Sequence, residues 1–382
     1  MAWLSGWAKR IELTSDHTKV DAALTHFPLT AFLKSGNGDT VKVFEAGGVG
    51  ASYLKTAVAD DAGNQFYVEV EQWDSTAKVG VIHFGRTGSA YDLPSASAKK
   101  YYLYYDAAHA DNTTYVGVTQ SDAAKNVWDS NFKFRSDKKD KTTSTMEDST
   151  SGAHHLTKEA ANKPIQVDGK VGKAQDYDGS THYARCTDTD IVANEVTNAT
   201  IEVWARVDAA PGVGENRELL ALVTSPSGST GFLGVLRYHN NAGTYELRGY
   251  FGATAGTWAT NAYTMTVGTW YHLALVKAGT TVTVYVNGVA LTNTGTQGTA
   301  LDWTTTSTGL TTGGSRHTPP LTGDFDIYTW NGALDEFRVS ETNHTVSWLK
   351  ATYNSLNDSL LTYGSEETCI PFRSIYPHIL IR

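Results

Sequence analysis

The sequence predicts an all-β protein built from two β-sandwich domains, and three observations support this fold class. Its 382 residues exceed the length of one average domain. Glycine and tyrosine are abundant, with 35 and 20 residues, whereas proline and methionine number only 9 and 3. This mixture suits many short strands joined by tight turns. Several stretches also alternate apolar and polar residues with the period of two that is typical of half-buried strands.

Residues 1–118 are predicted to form an N-terminal β-rich unit. In the clearest strand, Phe66, Val68 and Val70 alternate with polar residues that include Glu69 and Glu71. The two glutamates therefore share one face of the strand, and we expect that face to be exposed. The predicted strands are TVKVFEA (40–46), QFYVEVEQW (65–73), AKVGVIHFG (77–85) and KKYYLYYDA (99–107).

Residues 119–150 change in composition. The stretch SDKKDKTTSTMEDSTSG (136–152) has almost no apolar residue, so it cannot bury enough apolar surface to fold by itself. We therefore predict a polar linker or long loop over 119–150. The adjacent pair His154 and His155 follows in the same polar surroundings and is predicted to be exposed.

Residues 151–358 are predicted to form the second unit. The stretches 199–208 and 269–279 read as strands, and the second runs into TTVTVYVNGVAL (280–291). Within that stretch Asn287-Gly288 is the signal of a type I′ hairpin turn, which requires positive φ at both residues. One helix is expected over VSWLKATYNSL (346–356), where Trp348, Leu349, Thr352, Tyr353 and Leu356 share a face.

Residues 359–382 form a C-terminal tail that is too apolar to be a free disordered end. Its segment IYPHILI must pack on something, and the sequence leaves open whether this happens in cis or in trans on a partner.

Charge and hydropathy exclude several classes of partner. A net charge of −9 without a concentrated basic patch disfavours nucleic acid. No apolar run approaches the roughly 18 residues of a membrane span, so no membrane insertion is expected. The N-terminus shows no apolar signal-peptide region. The two cysteines, Cys186 and Cys369, form no metal-type motif, and we expect two free thiols.

Four motifs occur in order in the second unit and together resemble the laminin-G-like, concanavalin-A-like jelly-roll family. That family usually shows F-D-G, T-I-E-x-W, W-x-H-x-A, Y-V-N-G and D-E-x-R, and Tyr177 stands here where Phe is usual. The resemblance covers roughly 150–358 and implies a jelly roll for this domain. The motifs are KVGKAQDYDGSTHYARC (170–186), ATIEVWARVD (199–208), TWYHLALVKAGTTVTVYVNGVAL (269–291) and GALDEFRVS (332–340).

The N-terminal unit looks like an uncharacterised β-rich module that often precedes laminin-G-like domains in bacterial surface proteins and phage virion proteins. The resemblance implies a component of a larger assembly. It rests on WAKRIEL, LTHFPLTAFL, YVEVEQWD and YYLYYD, followed by NVWDSNFKF (126–134).

The adjacent carboxylates Asp335 and Glu336 raise the question of catalysis or metal binding. Neighbours on a regular strand point to opposite faces, so these two would not flank one scissile bond. The E-x-D-x-E strand of jelly-roll glycosidases does not occur in the sequence. The family resemblance instead implies one structural Ca²⁺ held by Asp335 and Asp178. In that case Glu336 is expected to be structural and to pair with an arginine on an adjacent strand. Alternatively Asp178 caps the turn at Gly179, and Asp335 pairs with Arg338 or another neighbour.

Aromatic and polar residues of two stretches are the candidates for sugar binding. Exposed rings stack on the apolar face of a pyranose, and amide, carboxylate or basic groups bond to its hydroxyls. Each tryptophan could instead serve in core packing, as we expect for Trp204 and Trp270. The candidate ligand-binding residues, from 237–263 and 312–332, are Tyr238, His239, Asn240, Trp258, Arg316, His317 and Trp330.

These features lead us to expect a non-catalytic carbohydrate- or surface-binding structural protein. The N-terminal resemblance implies a phage virion component, either a tail-fibre adhesin or a capsid decoration protein, that is extracellular after lysis. A bacterial cell surface, reached without a visible signal peptide, is the alternative location. Expected partners are a glycan or host-cell surface, neighbouring assembly subunits and a second copy of the chain. The alternatives are a purely structural assembly protein and a jelly-roll glycoside hydrolase or lyase.

Overall fold

The structure is a computed structural model that describes residues 3–161, 163–188, 191, 197–224, 232–252, 256–296, 307–314 and 328–369. These residues form three sheets, antiparallel except for one parallel strand pair, with few helical segments, which confirms the all-β class. The two α-helices of this part of the chain fall short of the length and hydropathy of a membrane span.

The N-terminal unit is one eight-stranded sheet, called here the N-terminal sheet. Its strand order is β2-β5-β4-β3-β6-β1-β26, and β7 pairs with β4 in parallel. The last strand of the described chain therefore lies beside the first. The strands are β1 (Lys9–Ser15), β2 (Leu29–Leu33), β3 (Thr56–Asp60), β4 (Gln65–Asp74), β5 (Val79–Gly85), β6 (Lys100–Tyr105), β7 (Val116–Val118) and β26 (Leu361–Thr368).

The remaining strands form a sandwich of two sheets. The inner sheet, in the order β12-β13-β25-β15-β20-β21-β22, lies next to the N-terminal sheet, and β8 pairs with β25 while β23 pairs with β21. Its strands are β8 (Phe132–Ser136), β12 (Ile165–Asp168), β13 (Lys173–Asp178), β15 (Asn198–Val207), β20 (Trp270–Ala278), β21 (Thr281–Val286), β22 (Val289–Ala290), β23 (Gly295–Thr296) and β25 (Asn331–Ser340).

The outer sheet has the order β19-β18-β17-β16-β24-β14-β11-β10-β9. Apolar side chains of the two sheets, such as Ile201 and Leu334 of the inner sheet and Leu236 and Leu247 of the outer sheet, form the largest core. The strands are β9 (Asp140–Thr142), β10 (Thr145–Met146), β11 (Leu156–Lys158), β14 (Ala184–Cys186), β16 (Asn216–Thr224), β17 (Phe232–Asn241), β18 (Thr244–Gly252), β19 (Ala259–Ala262) and β24 (Ser307–Thr312).

Helix α2 joins the two units. It spans Val346–Leu356, as the sequence predicts, and Thr345 caps its N-terminus by accepting a hydrogen bond from the Trp348 amide at 3.2 Å. Ala351 packs in the core of the N-terminal sheet, whereas Leu349 packs on the inner sheet. The other helical segments are α1 (Asp122–Lys125) and the 3₁₀ turns His17–Lys19, Thr40–Phe44, Tyr53–Lys55 and Ser89–Tyr91.

The N-terminal sheet packs against the face of the inner sheet that points away from the sandwich core. Phe32 and Val81 of the N-terminal sheet meet Trp204 of the inner sheet there. The Trp204 ring also stacks on Tyr353 of α2, with 5.6 Å between ring centroids. Trp204 is therefore buried between the two units and not in the sandwich core, while Trp270 is partly exposed beside it.

The structure departs from the sequence prediction at 40–46 and 119–150. Residues Thr40–Phe44 form a 3₁₀ turn and not a strand, because the Thr40 hydroxyl bonds to Lys34 and Asn37 and closes the chain locally. The segment 119–150 is not a solvated linker: it contains β8, which pairs with β25, and the strands β9 and β10. Its polar side chains are buried through the ion pairs of Arg135 and through hydrogen bonds such as that of Lys138 to Thr312, which a composition argument does not detect.

Two further predictions have clear outcomes. Asn287 and Gly288 have φ values of 51° and 78°, which confirms the type I′ turn between β21 and β22. Residues Leu361–Thr368 of the predicted tail pair with β1 in cis. The segment 370–382, which includes IYPHILI, lies outside the described residues.

Candidate functional site

The adjacent carboxylates Asp335 and Glu336 lie at a β-bulge in β25. Glu336 has a φ of 48°, and Glu336 and Phe337 together face only Val203 of β15. The extra residue breaks the alternation of faces, so Leu334 and Phe337 point into the sandwich core while Asp335 and Glu336 both point away from it. The expectation that the two carboxylates occupy opposite faces is therefore wrong.

Glu336 belongs to a fully buried ionic cluster between the N-terminal sheet and the inner sheet. Arg135 Nη2 of β8 lies 2.5 Å from Glu336 Oε1, 3.0 Å from Glu71 Oε2 and 2.8 Å from His83 Nε2. The second guanidinium nitrogen of Arg135 bonds to Glu69 at 3.4 Å. The prediction that Glu336 pairs with an arginine of an adjacent strand is confirmed.

Glu69 and Glu71 share one face of β4, as predicted, but that face is buried and not exposed. Their side chains are closed off by the inner sheet, and Glu69 also accepts hydrogen bonds from Trp128 Nε1 at 2.7 Å and Ser149 Oγ at 2.6 Å. The sequence of one strand alone could not reveal that a second sheet covers it.

Burial and charge set the protonation of this cluster. Burial alone would raise the pKa of Glu336, but Arg135 and Arg338 lower it to about 2. Burial and the charge of Glu336 raise the pKa of Glu71, and burial and Arg135 lower the pKa of His83. The Arg135 guanidinium thus occupies the position among Glu71, His83 and Glu336 that a metal cation would otherwise take. The cluster links the N-terminal sheet to the inner sheet.

The two residues expected to hold Ca²⁺ lie apart. Asp335 is buried and accepts the Val171 amide at 2.8 Å, whereas Asp178 is exposed and accepts the amides of Ser180, Thr181 and His182 at 2.8–2.9 Å. Asp178 pairs in register with Asn331, four residues from Asp335, which places them about 13 Å apart along the strand. Calcium binding stays a prediction, but one ion cannot bridge both carboxylates in this arrangement.

Three of the predicted sugar-binding residues are buried inside the sandwich. Tyr238 and Trp330 are completely buried, and the Tyr238 hydroxyl accepts the Met265 amide at 3.1 Å. Asn240 is also buried, donates to the Pro211 carbonyl at 3.0 Å and accepts the Gly243 amide at 2.8 Å. These contacts hold the core and the β17–β18 turn, so none of the three presents a free surface. The predicted residues Arg316 and His317 lie outside the described residues.

Trp258 lies on the face of the outer sheet that points away from the sandwich core. There Arg237 stacks its guanidinium on the Trp258 ring at 4.7 Å and on the Tyr328 ring at 4.9 Å. Tyr250 packs against Trp258 with 5.0 Å between ring centroids, and Arg237 also pairs with Glu218 of β16. We call Glu218, Arg237, Tyr250, Trp258 and Tyr328 the aromatic face.

Strand register explains why these residues converge. Glu218 lies opposite Arg237 and Arg237 opposite Arg248 on three neighbouring strands, so their side chains form a row across the sheet. The rings of Tyr250, Trp258 and Tyr328 are only partly buried. The aromatic face therefore presents accessible ring area around a charged pair that is itself buried, since Arg237 is only 7% exposed and Glu218 is completely buried.

A second polar row borders the aromatic face. It contains the predicted residue His239, opposite Glu246 of β18. Glu246 accepts a hydrogen bond from Arg248 Nε at 2.7 Å, and His239 Nδ1 lies 2.8 Å from the Glu215 carbonyl. Burial first and the charge of Arg248 second lower the pKa of His239, so this ring is neutral near pH 7.

Burial also shifts the pKa of Glu218, the carboxylic acid of the aromatic face. It raises the pKa of Glu218 to about 7, although the paired guanidinium of Arg237 opposes the shift. Near neutral pH this carboxyl therefore changes between an ion pair and a neutral hydrogen-bond donor.

Sequence reasoning missed Glu218, Arg237, Tyr250 and Tyr328. No strand is predicted from the sequence in 237–263, yet this stretch contains the end of β17 and all of β18 and β19. Applying the period of two to β17 would have separated the outward Arg237 and His239 from the inward Tyr238. No pattern in the sequence indicates that Tyr328, after β24, returns to this surface.

Comparison with known proteins assigns part of the chain. Residues 178–349 match the family model Laminin_G_3, described as the concanavalin A-like lectin/glucanases superfamily. No curated protein matches the sequence.

Among solved structures, the chain is similar to domain 4 of AbnA, an extracellular arabinanase from Geobacillus stearothermophilus in complex with arabinotriose. The two are 18% identical with a TM-score of 0.40, and the match covers 60% of this chain and 98% of that chain. The binding domain of botulinum neurotoxin DC in complex with SialylT is 10% identical with a TM-score of 0.42, and the match covers 59% of this chain and 52% of that chain. The sialidase of Trypanosoma rangeli in complex with sialic acid is 11% identical with a TM-score of 0.42, and the match covers 76% of this chain and 44% of that chain. The chain thus spans about half the length of the last two. The sequence of residues 178–349 is thus similar to the concanavalin A-like lectin/glucanases superfamily.

Proposed function

We propose that this protein is a non-catalytic carbohydrate-binding protein that binds glycans through the aromatic face of its outer sheet. The observation that carries the proposal is the grouping of Trp258, Tyr250 and Tyr328 around Arg237, with ring surface left accessible.

The chemistry of the aromatic face suits a sugar. A pyranose offers a C–H face that packs on an aromatic ring and hydroxyls that pair with planar polar groups, and few fixed polar groups suffice for orientation. The Arg237 guanidinium is held by its pair with Glu218, and by stacking it holds the Trp258 and Tyr328 rings in place before a ligand arrives. Pre-organised side chains reduce the entropy cost of binding.

The carboxylates of this surface favour binding over catalysis. Glycoside hydrolysis requires one carboxyl group as acid and a second as base or nucleophile. Here Glu218 pairs with Arg237, and Glu246 pairs with Arg248. Both acids are thus committed to neighbouring guanidinium groups.

We further propose that the protein works as part of a phage virion, as a tail-fibre adhesin or a capsid decoration protein. This step rests on the resemblance of the N-terminal unit to modules of virion and bacterial surface proteins. A bacterial cell surface is the alternative location.

The test is binding of the purified protein to a glycan array and to intact bacterial cells. We expect selective binding that Trp258→Ala weakens at least about tenfold, as loss of a central aromatic contact does at interfaces. The matched control is Trp270→Ala, because Trp270 of the inner sheet also lies under a guanidinium, that of Arg206 at 5.5 Å. This control should bind as the wild type does.

The other outcomes separate the alternatives. Folded wild-type protein that binds no glycan and no cell, but assembles with itself or with virion subunits, would show a purely structural protein. Release of reducing sugar from a bound polysaccharide would show a glycoside hydrolase, and release of unsaturated sugar a lyase. Equal loss in both tryptophan variants would move the binding surface away from the aromatic face.

A further inference from the structure

Three metal-ligating side chains from separate parts of the chain meet at one end of the outer sheet. Cys186 ends β14, Asp188 follows two residues later, and His154 comes from the turn after the sequence Asp148-Ser149-Thr150. One ligand atom from each of Cys186, Asp188 and His154 lies within 4.8 Å of the other two. Residues two apart on an extended chain point to the same side, which explains why Cys186 and Asp188 converge.

We propose that His154, Cys186 and Asp188 form a zinc-binding site. A tetrahedral Zn²⁺ with bonds of about 2.0–2.3 Å keeps its ligand atoms roughly 3.3–3.6 Å apart. His154 Nδ1 and Asp188 Oδ2 are already 3.1 Å apart, and the sulfur lies within the same small volume. Closing around an ion therefore needs only small side-chain movements.

The donor set selects zinc over the hard cations. Ca²⁺ and Mg²⁺ take oxygen ligands almost exclusively, whereas a thiolate with an imidazole suits Zn²⁺. The thiolate and the Asp188 carboxylate together balance the two positive charges of the ion. Three protein ligands leave a fourth position, which a water molecule occupies in open zinc sites.

The surroundings support the site. A cavity of about 380 Å³, open to solvent, reaches Cys186 and Asp188; His155 and Arg185 also line it, whereas His154 does not. His154 is only 7% exposed, so the prediction of an exposed His154-His155 pair is wrong for this residue. The buried Asp148 carboxylate fixes its position by accepting the His154 amide at 2.9 Å.

Zinc binding at this place should release a proton. Zn²⁺ binds the thiolate, so its affinity must rise with pH.

The experiment treats the full chain with a chelator under reducing conditions and then titrates it with Co²⁺ as a coloured substitute for Zn²⁺. We expect one equivalent of Co²⁺ with a thiolate-to-cobalt charge-transfer band that Zn²⁺ abolishes by displacement. Cys186→Ser should remove the band. The matched control is Cys369→Ser, because Cys369 lies beside β1 of the N-terminal sheet and should leave the band unchanged.

Asp188→Asn keeps the test valid if the buried Cys186→Ser variant fails to fold, since Asp188 is exposed. It should weaken Zn²⁺ binding by at least about tenfold while unfolding remains unchanged without metal. A folded wild type that shows no band overturns the proposal. So does a band that survives Cys186→Ser or disappears in Cys369→Ser, and so does unchanged affinity in Asp188→Asn.

Discussion

Replacement of Arg135 by methionine tests whether the buried ionic cluster holds the two units together. The wild-type guanidinium has hydrogen bonds to Glu336 at 2.5 Å, Glu71 at 3.0 Å and Glu69 at 3.4 Å, and none of these side chains reaches solvent. Methionine fills most of the volume but leaves the carboxylates without their common cation. Removal of one partner of a buried ion pair costs about 3–5 kcal/mol.

We therefore expect Arg135→Met to lower the free energy of unfolding by about 3–5 kcal/mol at neutral pH. Urea unfolding followed by tryptophan fluorescence measures this, since Trp128 lies 5.0 Å from the Arg135 guanidinium and reports on the cluster. The matched control is Arg206→Met, which removes a partly exposed guanidinium paired with Asp208 at 2.8 Å. Such surface pairs contribute at most about 1 kcal/mol. Equal and small losses in both variants would refute the structural role of the cluster.

Three further predictions concern other parts of the molecule. Because the pKa of Glu218 is raised from 4.5 to about 7 in the folded state, its stabilising effect is complete below pH 4.5 and lost as pH rises through 7. Stability should fall by up to about 3 kcal/mol over this window in urea unfolding, and Glu218→Gln should remove that fall. Gly288→Ala should lower the melting temperature more than Gly243→Ala: both residues have positive φ, but a Cβ at Gly288 would lie 2.6 Å from Lys350 Cα, whereas Gly243 has open space. If Ca²⁺ binds at Asp178 without Asp335, adding it after chelation should raise the melting temperature, and Asp178→Ala should abolish the rise; no rise in the wild type would refute the calcium site.

Local pattern was sufficient to predict much of the secondary structure. The alternation of 65–73, the helical face of 346–356 and the Asn287-Gly288 turn all depend on neighbours in sequence, and each is confirmed. The prediction of a polar linker over 119–150 was wrong because the structure there depends on residues that are distant in sequence. Arg135 of this segment is buried only because Glu69, Glu71 and Glu336 arrive from distant strands, and composition counts it as solvated. Lys138 is buried as well, and its ammonium group donates to Thr312 Oγ1 at 3.0 Å.

The functional surface was harder to predict than the fold. Trp258 and His239 were selected for residue type. Both lie on or beside the aromatic face, but His239 is only 8% exposed. Tyr238, Asn240 and Trp330 were selected by the same criterion and are buried. Residue type says what a side chain can bind, but the direction in which it points depends on strand register, and a β-bulge such as that at Glu336 shifts it by one residue.

The chain passes between the N-terminal sheet and the sandwich twice, first from β7 into β8 and then from α2 into β26. A domain joined to its neighbour by one linker can rotate about that linker, whereas a domain joined by two chain crossings cannot rotate freely about either. A pull on a ligand at the aromatic face would therefore reach the N-terminal sheet along two covalent paths that share the load. The same arrangement keeps that surface aimed in one direction, away from the N-terminal sheet.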